Sequence, residues 1–135
     1  MLLPPDATPR LVLQRIRNRI IENLDTMASF DEQRTYAQRV PICYVPYELI
    51  NGWEDFVASP RPAHFTEPVF SSGECDAIER FYPHWREAAD ALPDDFPPLE
   101  EVLNSPYWMR LRDAARHALA AFLIRGRLPE DVEAS

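Results

Sequence analysis

The clearest structural signal in this chain lies in residues 8–28, TPRLVLQRIRNRIIENLDTMA. Thr8 can cap a helix through its hydroxyl, and Pro9 suits the first helical position because a backbone N–H there would have no intrahelical partner. Apolar residues then recur at helical spacing, which places them on one face. They are Val12, Leu13, Ile16, Ile20, Ile21, Leu24 and Met27. The pattern predicts an amphipathic helix over about residues 9–28.

Serine caps predict two further helices. Ser29 is followed three residues later by Glu32, the spacing of a capping box that opens a short second helix. Ser71 or Ser72 caps a later, longer helix. Pro83 falls inside that helix, and because proline removes a backbone hydrogen bond we expect a kink there or two abutting helices.

Prolines mark the remaining helix starts. Pro46 begins a helix that extends to about residue 58, and a short helix is predicted over residues 98–103. Ser105-Pro106 repeats the cap-then-proline signal before a long last helix. Gly126 ends that helix, because glycine readily adopts the backbone conformation of a C-terminal cap.

Composition completes the fold prediction. The 135 residues are 46% hydrophobic and 27% charged, with only three glycines against fourteen prolines. Few glycines disfavour tight β-hairpins, and many prolines favour stiff connections. We therefore expect an all-α fold: a single-domain, irregular helical bundle of about five to six helices with proline-rich connections. The domain covers residues 1–135, with flexible termini at 1–7 and 128–135.

Charge narrows the classes of partner. The net charge is −8 at pH 7, which disfavours binding to a nucleic-acid backbone, so no nucleic-acid partner is predicted. Four arginines crowd the first helix, and nearby acids such as Glu22 and Asp25 explain them by local ion pairing. The fourteen basic residues are all arginine, which we attribute to the composition of a bacterial genome.

Cysteine use and hydropathy indicate the compartment. Cys43 and Cys75 form no metal-binding or redox motif, so we expect reduced thiols. The chain start resembles no signal peptide, and no apolar run approaches the ~20 residues that span a bilayer. We predict a cytoplasmic protein without a membrane partner.

Residues 41–56, PICYVPYELINGWEDF, concentrate aromatic and acidic side chains. Aromatic residues supply much of the buried area of a small domain, but they also anchor protein interfaces when acids or other polar residues surround them. Both interpretations stay open from the sequence. The candidate interface residues are Tyr44, Tyr47, Glu48, Trp53, Glu54 and Asp55.

Two histidine–carboxylate pairs supply a metal-binding alternative. His84 with Glu87 and Asp113 with His117 each have helical spacing, and two such pairs on facing helices can hold iron, manganese or zinc. Surface pairs of this kind are common without metal, so no cofactor, metal site or catalytic residue is predicted in the favoured interpretation. A nucleophilic pair of Cys75 with His64 is likewise weaker than an unreactive thiol.

These observations favour a non-catalytic module. We expect a small acidic bacterial protein of immunity, antitoxin or accessory type. Its partner would be another protein or a second copy of the chain, as in a dimer. The alternative is a metal-binding helical-bundle enzyme that uses the two histidine–carboxylate pairs.

Overall fold

The computed structural model describes residues 7–134, and within them the chain is all-helical, as predicted. The six helices are α1 Pro9–Met27, α2 Phe30–Arg39, α3 Val45–Phe56, α4 Ser72–Ala91, α5 Leu99–Leu103 and α6 Pro106–Leu123. Helices α4 and α6 form the most extensive pair, and α1 packs against α6, α3 and α2.

The predicted caps of the first three capped helices form. The Thr8 hydroxyl accepts the backbone N–H of Leu11 at 3.2 Å, and Ser29 accepts that of Glu32 at 3.1 Å. Ser71 and Glu74 cap each other's backbone at the start of α4. These signals are predictable because each involves residues three apart.

Of the two alternatives predicted at Pro83, the two abutting helices do not form, since α4 is one helix over Ser72–Ala91; a kink stays a prediction. Phe81 and Trp85 are buried on either side of the proline. Burying two large aromatic side chains stabilises by several kcal/mol, which exceeds the ~3 kcal/mol cost of an internal proline. The helix therefore continues through it.

The core takes residues from every helix except α2 and from the loop before α4. Trp53 of α3 and Trp108 of α6 are almost fully buried. Phe65, Val69 and Phe70 belong to the same cluster, and they come from the proline-rich loop between α3 and α4. This loop packs on α6, where the ring centroids of Phe70 and Phe122 lie 6.3 Å apart.

One row of polar side chains on α1 is buried, which differs from the prediction made from the sequence. Gln14, Arg17 and Asn18 are 0% exposed, although only the apolar stripe of this helix was predicted to face the core. Two of these side chains bind residues 128–134, which we call the C-terminal tail. Gln14 donates to the carbonyls of Pro129 and Val132 at 2.8 and 2.9 Å and accepts from the N–H of Ala134.

Asn18 also contacts the C-terminal tail, whose flexibility stays a prediction. Asn18 adds bonds in both directions with the backbone of Leu128, at 2.8 and 3.0 Å. Amide side chains can satisfy an irregular backbone in this way because each carries a donor and an acceptor. Residues 1–6 and 135 of the predicted flexible termini lie outside the described residues.

Arg17 forms a buried ion cluster with Glu74 and Arg125. Arg17 donates through Nε and Nη2 to the two Glu74 carboxylate oxygens at 3.1 and 2.8 Å, and its exposure is 0%. It also donates to the carbonyls of Phe122 and Gly126 at the end of α6. The cluster thus joins α1, α4 and the C-terminal end of α6, whose carbonyls favour a cation.

None of the helices in residues 7–134 combines the length and the apolar character needed to cross a membrane.

Candidate functional site

Three aromatic side chains meet at the start of α3, and we call them the aromatic patch: Tyr44, Tyr47 and Phe96. Their ring centroids lie 4.6 to 5.3 Å apart in edge-to-face contact. The Tyr44 hydroxyl donates to the Pro97 carbonyl and the Tyr47 hydroxyl to the Pro93 carbonyl, each at 2.6 Å. Both tyrosines therefore fix the loop between α4 and α5 on either side of Phe96.

Phe96 has the most unusual backbone in this patch. Its φ is +54°, in the left-handed region that costs a residue other than glycine about 1–2 kcal/mol, and its side chain is 62% exposed. Strain of this kind persists only where the surroundings impose it, and it is often found at functional sites. Here the surroundings hold an apolar ring toward solvent.

Acidic residues lie close to the aromatic patch in sequence or in space. Burial above all raises the pKa of Tyr44 to about 12; two neighbouring tyrosines add to this effect, and the nearby acids Asp95 and Glu101 contribute least. Glu48 is exposed one residue after Tyr47, and none of these three acids forms an ion pair with the described residues. The patch is therefore apolar at its centre and negative at its rim.

A shallow hollow of about 280 Å³ continues this surface. It lies between the α4–α5 loop and the start of α6. Its lining residues are Pro93, Asp95, Pro97, Glu101, Val102, Ser105 and Tyr107. Proline and tyrosine side chains present rigid apolar walls, so the hollow offers a preformed surface for a partner's side chain.

The candidate interface residues from the sequence separate in the structure. Tyr44 and Tyr47 are half-buried members of the patch, and Glu48, Glu54 and Asp55 are exposed. Trp53 is 1% exposed and packs edge-on against Phe81 at 4.6 Å, so it belongs to the core and offers no surface. Sequence reasoning missed Phe96, whose segment reads only as an acidic, proline-rich linker; its one signal is a large apolar residue between acids and prolines.

The four metal candidates do not converge. His84 and His117 line the same groove between α4 and α6. The two acids are instead held by arginines, since Arg110 Nε lies 2.8 Å from Glu87 Oε1 and Arg112 binds Asp113. The hydrogen bond from Arg110 lowers the pKa of Glu87. Within residues 7–134, no three His, Cys, Asp or Glu side chains lie close enough together to hold one metal ion.

The cysteines are free thiols in unlike environments. Cys75 is buried, and its Sγ donates to the Phe65 carbonyl at 3.4 Å. Burial above all raises the pKa of the Cys75 thiol, so the nucleophilic thiolate is disfavoured. His64 is exposed on the preceding loop. Cys43 is half-buried before α3.

Arginines of α1 are engaged by carboxylates or carbonyls. Arg19 binds Glu22 three residues later, as the sequence indicated, but it also reaches Glu130 of the C-terminal tail. Arg15 donates to the Glu130 carbonyl at 2.7 Å, while Arg17 lies in the buried cluster. These contacts leave no continuous row of free guanidinium groups on α1 for a phosphate backbone.

No known family model, curated protein or solved structure matches this chain.

Proposed function

We propose that this protein is a non-catalytic association module that binds a basic segment of another protein at the aromatic patch. The exposed, strained Phe96 carries the proposal. An apolar ring held in water by an unfavourable backbone gains most when a partner covers it. Its two tyrosine neighbours are already fixed by hydrogen bonds, so little conformational freedom would be lost on binding.

The charge of the rim supports a basic partner. Glu48, Asp95 and Glu101 are acids without ion pairs among the described residues, and the chain carries a net charge of −8. An arginine or lysine side chain can stack on an aromatic face while its charged group approaches a carboxylate. The patch therefore suits a partner that presents both an apolar or cationic side chain and a positive rim.

A second copy of the chain is a less favourable partner at this surface. A two-fold dimer brings the same patch of each copy together, which would place the acids of Glu48, Asp95 and Glu101 opposite one another. Like charges that face each other across an interface oppose association. A binding role of immunity, antitoxin or accessory type accordingly remains our proposal, with a distinct basic protein as the partner.

The test compares Phe96→Gly with wild type. Glycine adopts a φ of +54° without steric cost, and losing that strain offsets the lost ring contacts, so stability should stay within about 1 kcal/mol of wild type. Loss of a central aromatic anchor should weaken partner binding by at least about thirtyfold, the effect of a hot-spot residue. Val132→Gly is the matched control, because Val132 is an apolar residue of the C-terminal tail with the same 62% exposure as Phe96.

The measurement is affinity capture from the source lysate followed by titration of the captured protein. We expect wild type and Val132→Gly to retain one basic partner that Phe96→Gly and Asp95→Asn lose or bind more weakly. Identical capture by all four proteins, or none by wild type together with a strictly monomeric mass, refutes the proposal.

A further inference from the structure

A second surface, between α4 and α6, has the opposite charge and a regular geometry. Its α4 wall consists of Ala77, Arg80, Phe81 and His84, and its α6 wall of Ala114, His117, Ala118 and Ala121. We call it the basic groove. Each wall follows the spacing i, i+3, i+4, i+7, which places its four side chains on one face over two turns. Side by side, the two faces form a groove that runs along both helices.

Small residues shape the floor of the basic groove. Ala77 and Ala118 are buried, and Ala114 and Ala121 are half-buried. The space between the walls is about 340 Å³. Alanine lets a third helix approach closely, since helices pack at axial distances of about 8–10 Å according to the side chains between them.

An exposed isoleucine extends the α6 wall. Ile124 is 85% exposed and follows His117 and Ala121 at helical spacing, and its backbone angles are still those of a right-handed helix. An amphipathic helix docked in the basic groove would cover this large apolar side chain.

The charge of the basic groove follows from which arginines are already paired. Arg80, His84 and His117 are exposed and form no ion pair or side-chain hydrogen bond with the described residues. The nearest acids on α4, Asp76 and Glu79, share the single guanidinium of Arg61 at 2.8 Å, and neither of them lines the basic groove.

The acids beside the two histidines are engaged as well. Glu87 binds Arg110 and Asp113 binds Arg112. The guanidinium of Arg80 is therefore free to donate two hydrogen bonds to one carboxylate. An imidazole N–H can also donate to a carboxylate, whether or not the ring is protonated. A chain of net charge −8 thus keeps one groove whose free groups are donors or cations.

We propose that the basic groove binds an acidic amphipathic helix of a partner protein. Small or apolar residues of that helix would face the alanine floor and Ile124, and its Asp or Glu side chains would face Arg80, His84 and His117. This partner surface has the opposite charge to the one proposed for the aromatic patch, so the two proposals stand or fall separately. A second copy docking groove to groove would oppose like charges and is disfavoured.

The probe is a synthetic helical peptide of about 20 residues with alanine and leucine on one face and glutamate on both flanks. Binding is followed by methyl and imidazole NMR shifts. We expect saturable shifts at Ala114, Ala118 and the rings of His84 and His117. A peptide with glutamine in place of glutamate should bind roughly tenfold more weakly, because the charged contact with Arg80 is lost and the hydrogen bonds from the two histidines no longer reach a carboxylate.

Variants locate the binding. Arg80→Glu should weaken binding of the glutamate peptide by reversing one contact, and Ala114→Trp should abolish it by filling the groove. Arg39→Glu is the matched control, because Arg39 is another exposed arginine that forms no ion pair with the described residues and lies on α2.

Three results overturn the proposal: no saturation at millimolar peptide, unchanged affinity in Arg80→Glu, or shifts confined to the aromatic patch. Concentration-dependent dimerisation that Arg80→Glu abolishes would also overturn it, in favour of a second copy as the occupant. Each variant's circular dichroism spectrum and thermal unfolding must match wild type for its binding result to count.

Discussion

Replacing Glu74 by glutamine tests whether the buried ion cluster holds the bundle together. The Glu74 carboxylate is 2% exposed and accepts from Arg17 at 2.8 and 3.1 Å and from Arg125 at 2.7 and 3.1 Å. Glutamine keeps the shape but replaces one oxygen by an NH₂ group. That group faces guanidinium donors, so about half of the four hydrogen bonds from Arg17 and Arg125 are lost.

The expected cost is large because Arg17 has no access to water. Removing one partner of a buried ion pair leaves the other charge uncompensated and destabilises a protein by about 3–5 kcal/mol. Arg125 is about one third exposed and can turn toward solvent, whereas Arg17 cannot. We therefore expect Glu74→Gln to lose about 3–5 kcal/mol of unfolding free energy, a large part of the stability of an ordinary domain.

Urea unfolding monitored by tryptophan fluorescence measures this loss. Glu87→Gln is the control, because Glu87 also binds an arginine at 2.8 Å but lies on the surface, and it should change little. The double variant Arg17→Met with Glu74→Leu should recover much of the loss, since both buried charges leave together. A Glu74→Gln cost below about 1 kcal/mol, or one equal to that of Glu87→Gln, refutes the reasoning.

The same carboxylate predicts a pH dependence. Burial alone raises the pKa of Glu74, but the hydrogen bonds from Arg17 and Arg125 outweigh burial and hold its pKa below the ordinary value. A carboxyl with a lowered folded pKa stabilises the fold above its unfolded pKa, near 4.3, and loses that contribution as pH falls through the folded pKa. Wild type should therefore lose more unfolding free energy than Glu74→Gln between about pH 5 and pH 2.

Three further comparisons of variants test packing and buried hydrogen bonds through unfolding free energies. A Cβ at Gly52 would lie 2.8 Å from the Asn23 side-chain nitrogen, so Gly52→Ala with Asn23→Ala should be about 1 kcal/mol more stable than Asn23→Ala alone, and no gain would contradict this. Gln14→Ala should cost about 2 kcal/mol and speed hydrogen exchange in the C-terminal tail; unchanged exchange would argue against the contact. Trp108→Phe breaks the 2.9 Å hydrogen bond from the indole N–H to Gln33, whereas the indole N–H of Trp53 has no acceptor among the described residues. Trp108→Phe should therefore cost about 1 kcal/mol more unfolding free energy than Trp53→Phe, and equal costs would contradict this.

The helices could be predicted because their signals are local. Thr8 caps α1 through a contact three residues along the chain, and the Ser29–Glu32 pair does the same for α2. Hydrophobic spacing then identifies the buried face without reference to any other element. Pro83 shows the limit of this reasoning, because burial of its aromatic neighbours against the core decides whether a helix continues.

The sites could not be predicted because their partners are distant in sequence. Arg17 meets Glu74 across 57 residues, and no local pattern indicates that pairing. Phe96 precedes a proline, a position that normally favours extended backbone, so its left-handed conformation is imposed by contacts with the tyrosines of α3. The basic groove likewise needs two helices to be set side by side before its free donors share one surface.

The buried Arg17 also sets the order in which a ribosome can deliver a finished fold. Its carbonyl acceptor on Gly126 is made 109 residues later, and Glu74 57 residues later. At about 5–20 residues per second, the guanidinium of Arg17 waits on the order of 3–10 s for Glu74 and on the order of 5–20 s for Gly126. Helix α1 should therefore stay solvated or bound to a chaperone until α6 has left the exit tunnel. The bundle should then form in one late step.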